Sequence, residues 1–164
     1  MGEAKQKRDA QRAAELDELL KIAVEAKLEG LDFLASFTYE QLSDGYNGIG
    51  PEFLTPAVRE KVSDFLHIFK PAAVGHDLRN EMSDGTRESF HAANCEFYRN
   101  CRKLADYYYP WYSRRRYRAR AAALVLYGFV SAEHFGWRAW LEAKNRHAAK
   151  MASDNSVWKT KEVK

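Results

Sequence analysis

Apolar residues recur along this chain at intervals of three and four, which is the spacing of one helix face, and not in the alternation of a half-buried strand. Over residues 8–35 the stripe is Leu16, Leu20, Ala23, Val24, Lys27 and Leu31, with Lys27 laying its methylene stem along it. Thr38 to Leu42 fits a short second helix. The stretch Ser43–Pro51 then breaks the pattern with three glycines, an asparagine and a proline. Thr55-Pro56 is a cap residue followed by proline, the signature of a helix start, and Val58, Val62, Phe65, Leu66 and Phe69 form the apolar face behind it. Pro71 marks a further start, and that helix runs through His76 and Asp77. After a Ser83-Asp84-Gly85 turn, Thr86 caps a long helix with the face Phe90, Ala93, Asn94, Phe97, Cys101 and Leu104. A last helix is expected from Ser113 to His147, apolar from Ala121 to Val130 and aromatic at Phe135, Trp137 and Trp140. The pattern predicts an all-α fold, a compact bundle of five or six helices. Residues 1–150 form a single helical domain in this reading, and 151–164 a polar, flexible tail.

Composition narrows the reading. With 46% hydrophobic and 13% aromatic residues in 164, the chain can fill a core, which excludes wholesale disorder. Its longest uncharged stretch, Ala121–Ala132, is 12 residues, too short to span a bilayer. The opening residues lack the apolar segment of a signal peptide. Cys95 and Cys101 are six apart on one expected helix and point in different directions, so no disulfide scaffold is encoded and a reducing compartment is expected. The net charge of +3 is unevenly spread: between Arg99 and Arg120 eight basic residues face one acid, Asp106. An anionic partner is implied.

Three groups of residues carry candidate chemistry. His76 and Asp77 diverge by about 100° on a helix, so they cannot form one dyad but can serve neighbouring tasks. The imidazole suits a general base toward water and the carboxylate suits a hard cation. In Tyr46-Asn47-Gly48-Ile49-Gly50-Pro51, alternating glycines let the backbone turn carbonyl oxygens inward, as Ca²⁺ requires. Asn94 is nine residues after the turn residue Gly85 and His76 eight before Asp84, so an antiparallel pairing sets them at one height. There the amide can accept from the imidazole and fix its tautomer.

A glycine loop, a His-Asp helix and an antiparallel helix carrying the histidine's partner together resemble the phospholipase A2 core, over roughly residues 46–104. The resemblance is to the disulfide-poor bacterial and viral members. It implies that His76 is the base activating water against an sn-2 ester, that Asn94 is its partner, and that Asp77 holds calcium with the carbonyls around Asn47, Gly48 and Gly50. The family carries aspartate where this chain has Asn94, which implies weakened or lost catalysis. The segments Asn47–Pro51, Pro71–Asp77 and Phe135–Trp140 also resemble small bacteriophage and prophage proteins. That implies a viral origin, with the bacterial host's cytoplasm or the virion as its location, and virion proteins among its partners.

Two further features stand outside that core. His91 and Cys95 share a helix face at the spacing of a bidentate zinc pair, with His76 as a third ligand in this reading. The run Ser113–Arg120 crowds Arg114, Arg115 and Arg116 into a helix's first turn, where the macrodipole disfavours cations. With Arg118, Arg120, Trp111, Tyr112 and Tyr117, it suits a phospholipid or other anionic surface, and less readily nucleic acid, since no base-reading motif accompanies it. The alternative to a lipid-directed enzyme is therefore a non-enzymatic virion-associated or assembly protein that docks through these arginines. A third possibility is that acids of the first helix, Glu15, Asp17 and Glu18, neutralise them internally.

Overall fold

The first helical stripe does not run on to Leu31, because the helix closes at Lys27, where Leu28 N–H donates back to the Ala23 carbonyl at 3.0 Å. In a computed structural model describing residues 2–46, 55–56 and 62–161, with side chains from 10 to 149, helix α1 spans Gly2–Glu25. The chain then turns through Lys27 (φ 52°) and Gly30 (φ 81°), both left-handed. A Cβ at Gly30 would lie 2.6 Å from the Glu96 carboxylate, so this approach of chain to helix requires glycine. Asn100, 5% exposed, secures the turn by accepting from the Glu29 backbone N–H at 2.7 Å and donating to its carbonyl at 3.1 Å. The buried stripe of α1 is Leu16, Leu19 and Ala23, whereas Val24 is 62% exposed. The early break corrects the expected 8–35 helix.

Short helices α2 (Leu31–Ala35) and α3 (Tyr39–Gly45) follow. Thr38 and Gln41 form a capping box at the start of α3. Arg12 donates to the carbonyls of Ser43 and Tyr46 at its other end, at 2.8 and 2.6 Å. A 3₁₀ turn, Ser63–Phe65, leads into α4 (Leu66–Glu81). Pro71 sits inside α4 rather than at its start. An interior proline costs about 3 kcal/mol, but burying Ile68 and Phe69 at 1% and 0% exposure returns roughly 1.5–3 kcal/mol each. Burial wins. Val58, expected on this face, lies outside the described residues.

Helix α5 (Arg87–Tyr108) runs antiparallel to α4 across a turn in which the Asp84 carboxylate accepts from the Thr86 N–H, the Thr86 hydroxyl and the Ser89 hydroxyl. Those bonds hold the Asp84 carboxyl below its ordinary range. Helix α6 (Arg114–Val130) returns along α5, and its N-cap Ser113 accepts from the Arg115 N–H. The expected single helix from Ser113 to His147 is broken at Ser131–Ala132. A π-turn, Glu133–Trp137, restarts the chain into α7 (Arg138–Lys161), whose backbone helix includes much of the segment read as a tail.

The fold is all-α, with seven α-helices and no strand among the described residues. Its main core draws on α1 to α6, centred on Phe69, Ile68, Leu16, Leu104 and Leu126. A satellite cluster of Phe90, Ala93, Trp137 and Trp140 joins α5 to the π-turn and α7. Within the apolar middle of α6, Leu126 is core while Leu124 is 55% exposed. Both cysteines are free, and no described helix is long and apolar enough to cross a membrane.

Candidate functional site: the His76 cavity

One face of α4, at residues 73, 76, 77, 80 and 81, opens on a cavity of about 630 Å³. His76 and Asp77 both line it despite their divergence around the helix. Asn94 of α5 forms the opposite wall, 1% exposed, with its Oδ1 at 2.9 Å from His76 Nε2. The equal heights expected from the turn distances are realised in that contact.

The amide's other end determines the chemistry of the first. Asn94 Nδ2 donates to the Val130 carbonyl, the last of α6, at 3.4 Å. A carbonyl can only accept, so the nitrogen of the amide must face it and the oxygen must face His76. The ring nitrogen at 2.9 Å therefore carries the proton, which makes Nδ1 the basic atom of the imidazole. Nδ1 has no hydrogen-bond partner among the described residues. Burial lowers the His76 pKa from its usual value, against smaller opposing contributions from the Asn94 hydrogen bond and the Glu96 charge. The ring is neutral at physiological pH. Phe97, with its ring centroid 4.8 Å away, packs against it.

The break between α6 and α7 supports this arrangement. Ala132 accepts from the N–H groups of Phe135, Gly136 and Trp137, a fan of bonds that shapes the π-turn. Gly136 is pressed onto the Val130 carbonyl so closely that any Cβ would overlap that oxygen. Val130, Asn94 and His76 thus form one polar relay whose outer end is held by a glycine. Around it the cavity is walled by Phe90, Phe97, Phe129, Phe135 and Trp140, with Arg138, Arg146 and Glu142 among its polar residues. The aromatic wall comes from helices distant in sequence. The turn distances placed His76 against Asn94, but nothing local in the sequence announced the part played by Val130 and Gly136.

Asn47, Gly48 and Gly50 lie outside the described residues. The chain entering that loop is described, and it is set against the His76–Asp77 turn of α4. A Cβ on Gly45 would meet Leu78 at 2.7 Å, and Tyr46 is 7% exposed. Burial, with the charges of Glu15 and Asp77, pushes the Tyr46 phenol up to about 12 despite Arg12. The loop's first residue therefore lies within electrostatic reach of Asp77. His91, Cys95 and His76 do not converge. Cys95 Sγ is 3.4 Å from His91 Nε2 and 3.7 Å from the Tyr127 hydroxyl, while His76 turns to Asn94. No cluster of three or more such ligands occurs among the described residues.

The arginine run lies at the other end of the α5–α6 hairpin. Arg116 and Arg120 both bind Asp106 at 2.6 Å, and Arg118 reaches Asp64 at 3.2 Å. Burial works to raise the Asp106 pKa, but the two guanidinium hydrogen bonds prevail and hold it at about 2. The acids that engage the run are therefore Asp106 and Asp64, while Glu15 of α1 pairs with Lys70. Arg114 and Arg115 are exposed and have no partner among the described residues. No family model, curated protein or solved structure matches the chain.

Proposed function

We propose that this chain is a phospholipase A2-like protein, of the viral type that its loop and terminal segments resemble, with weak or vestigial esterase chemistry in the His76 cavity. One observation carries the reading: Asn94, oriented by the Val130 carbonyl, holds His76 in the tautomer whose basic atom is Nδ1. In that role Nδ1 takes a proton from water as its oxygen attacks the ester carbonyl, and the imidazolium returns the proton to the departing alkoxide. The aromatic wall suits an acyl chain. A neutral amide stabilises the developing imidazolium less than a carboxylate does, so the rate is low.

For calcium, the chemistry of the available donors fits. Asp77 supplies a hard carboxylate oxygen at the cavity, and the segment beginning beside it at Tyr46 carries the carbonyls of Asn47, Gly48 and Gly50. When bound there, Ca²⁺ would polarise the ester carbonyl as a Lewis acid. The second reading, a non-enzymatic virion or assembly component, is favoured by Arg114 and Arg115, which are exposed and have no partner among the described residues.

Release of fatty acid from phospholipid vesicles tests the proposal. The wild-type protein should give slow, calcium-dependent release that falls at least about tenfold in His76→Gln and rises in Asn94→Asp. Turnover that survives His76→Gln would overturn it. So would the absence of turnover from both wild type and a folded Asn94→Asp variant.

A further inference from the structure

The tip of the α5–α6 hairpin places large aromatic side chains where a fold gains nothing from them. Ser113 N–H donates to the Pro110 carbonyl at 2.9 Å, closing a four-residue turn whose two central residues are Trp111 and Tyr112. Such positions ordinarily hold glycine, asparagine or aspartate. Here they carry an indole 73% exposed and a phenol 71% exposed, set edge to face with centroids 5.8 Å apart. Tyr107 and Tyr108, at the end of α5, and Tyr117, in the first turns of α6, are also exposed.

Cations stand directly behind the tip. Arg114 and Arg115 open α6, where the helix dipole disfavours positive charge and where no acid occupies the first turn. Asp106, the nearest acid in sequence, is already shared between Arg116 and Arg120, and Glu25 of α1 accepts from the Tyr107 hydroxyl at 2.6 Å. The tip thus presents exposed aromatic rings beside two exposed arginines that have no acid partner among the described residues.

We propose that this hairpin tip is a peripheral anchor for an anionic lipid bilayer, with Trp111 and Tyr112 seated at headgroup depth and Arg114 and Arg115 against lipid phosphates. Indole and phenol rings favour that interfacial zone because one edge is apolar and the other polar. Shape separates a bilayer from a polynucleotide. A strand of nucleic acid is held along a cationic groove, yet no residue between 103 and 125 lines the His76 cavity or the smaller cavity beside Arg79 and Glu96. A protruding turn meets a plane. The anchor does not rest on the esterase reading. Tyr108 follows Asn94 by fourteen residues on α5, about 21 Å at 1.5 Å per residue, so the tip does not ring the mouth of the His76 cavity.

Flotation of the full chain with phosphatidylglycerol vesicles, phosphatidylcholine vesicles and a single-stranded oligonucleotide competitor tests the anchor. The protein should float with the anionic vesicles only, release as salt rises, and show a blue shift of tryptophan emission that disappears in Trp111→Ser. The pair Arg114→Gln/Arg115→Gln should weaken partitioning roughly thirtyfold at low salt. Both variants should melt with the wild type, because the side chains removed are exposed. Absence of flotation at low salt overturns the proposal, as does flotation unchanged in both variants. Tighter tip-dependent binding to the oligonucleotide overturns it too, in favour of nucleic acid.

Discussion

Replacing Asn94 with leucine isolates the relay behind the candidate base. Leucine shares the Cγ branching of asparagine and is bulkier, and the adjoining cavity takes up the added volume while both hydrogen bonds vanish. His76 Nε2–H loses its acceptor at 2.9 Å, and the Val130 carbonyl loses a donor at 3.4 Å. A buried polar group left unsatisfied costs about 1–3 kcal/mol. The longer bond lies at the low end of that range, and the added apolar burial of leucine returns about 1 kcal/mol. The net loss is about 1–3 kcal/mol, which for a domain of this size lowers the melting temperature by about 2–12 °C. Circular dichroism melts at pH 8, where His76 is neutral, read this directly. Asn94→Asp supplies the companion measurement. Its carboxylate keeps the acceptor for His76 and favours the imidazolium, so the His76 titration by NMR should move upward from its burial-lowered position. A melting change within about 1 °C for Asn94→Leu, or an unmoved His76 titration in the aspartate variant, would refute the relay.

Gly136→Ala should unfold or rearrange the π-turn, because its Cβ falls on the Val130 carbonyl. The expected loss is at least about 3 kcal/mol, with the near-ultraviolet signal of Trp137 and Trp140 altered. An alanine variant that melts with the wild type would contradict that packing. At the opposite end of the hairpin, Asp106 sits at about 2 when folded against about 3.9 unfolded. Its contribution is therefore present above pH 4 and is lost as pH falls through about 2. With the carboxylate 36% exposed, solvent screening reduces it to about 1 kcal/mol. Asp106→Asn should be less stable than the wild type by that amount at pH 6, with the gap closing in acid. A gap independent of pH would show that the arginines do not depend on the charge.

The helices themselves were legible because their signals are local. Thr38, Thr86 and Ser113 are caps by chemistry that a few neighbouring residues decide, and the 3.6-residue period marks the buried face of α5. The meeting of His76 and Asn94 was legible for a related reason: a short turn between two helices converts sequence distance into height along the bundle. What tertiary structure decided is of longer range. Pro71 is interior because burial of its neighbours outweighs its cost, and no local pattern carries that balance. Lys27 takes a left-handed conformation that its side chain does not announce. The break after Val130 depends on Gly136 fitting against a carbonyl of the preceding helix, a requirement set by packing. Arg114 to Arg120 are uniform in sequence. The fold divides them, because Asp106 and Asp64 lie within reach of Arg116, Arg118 and Arg120 and leave Arg114 and Arg115 facing outward.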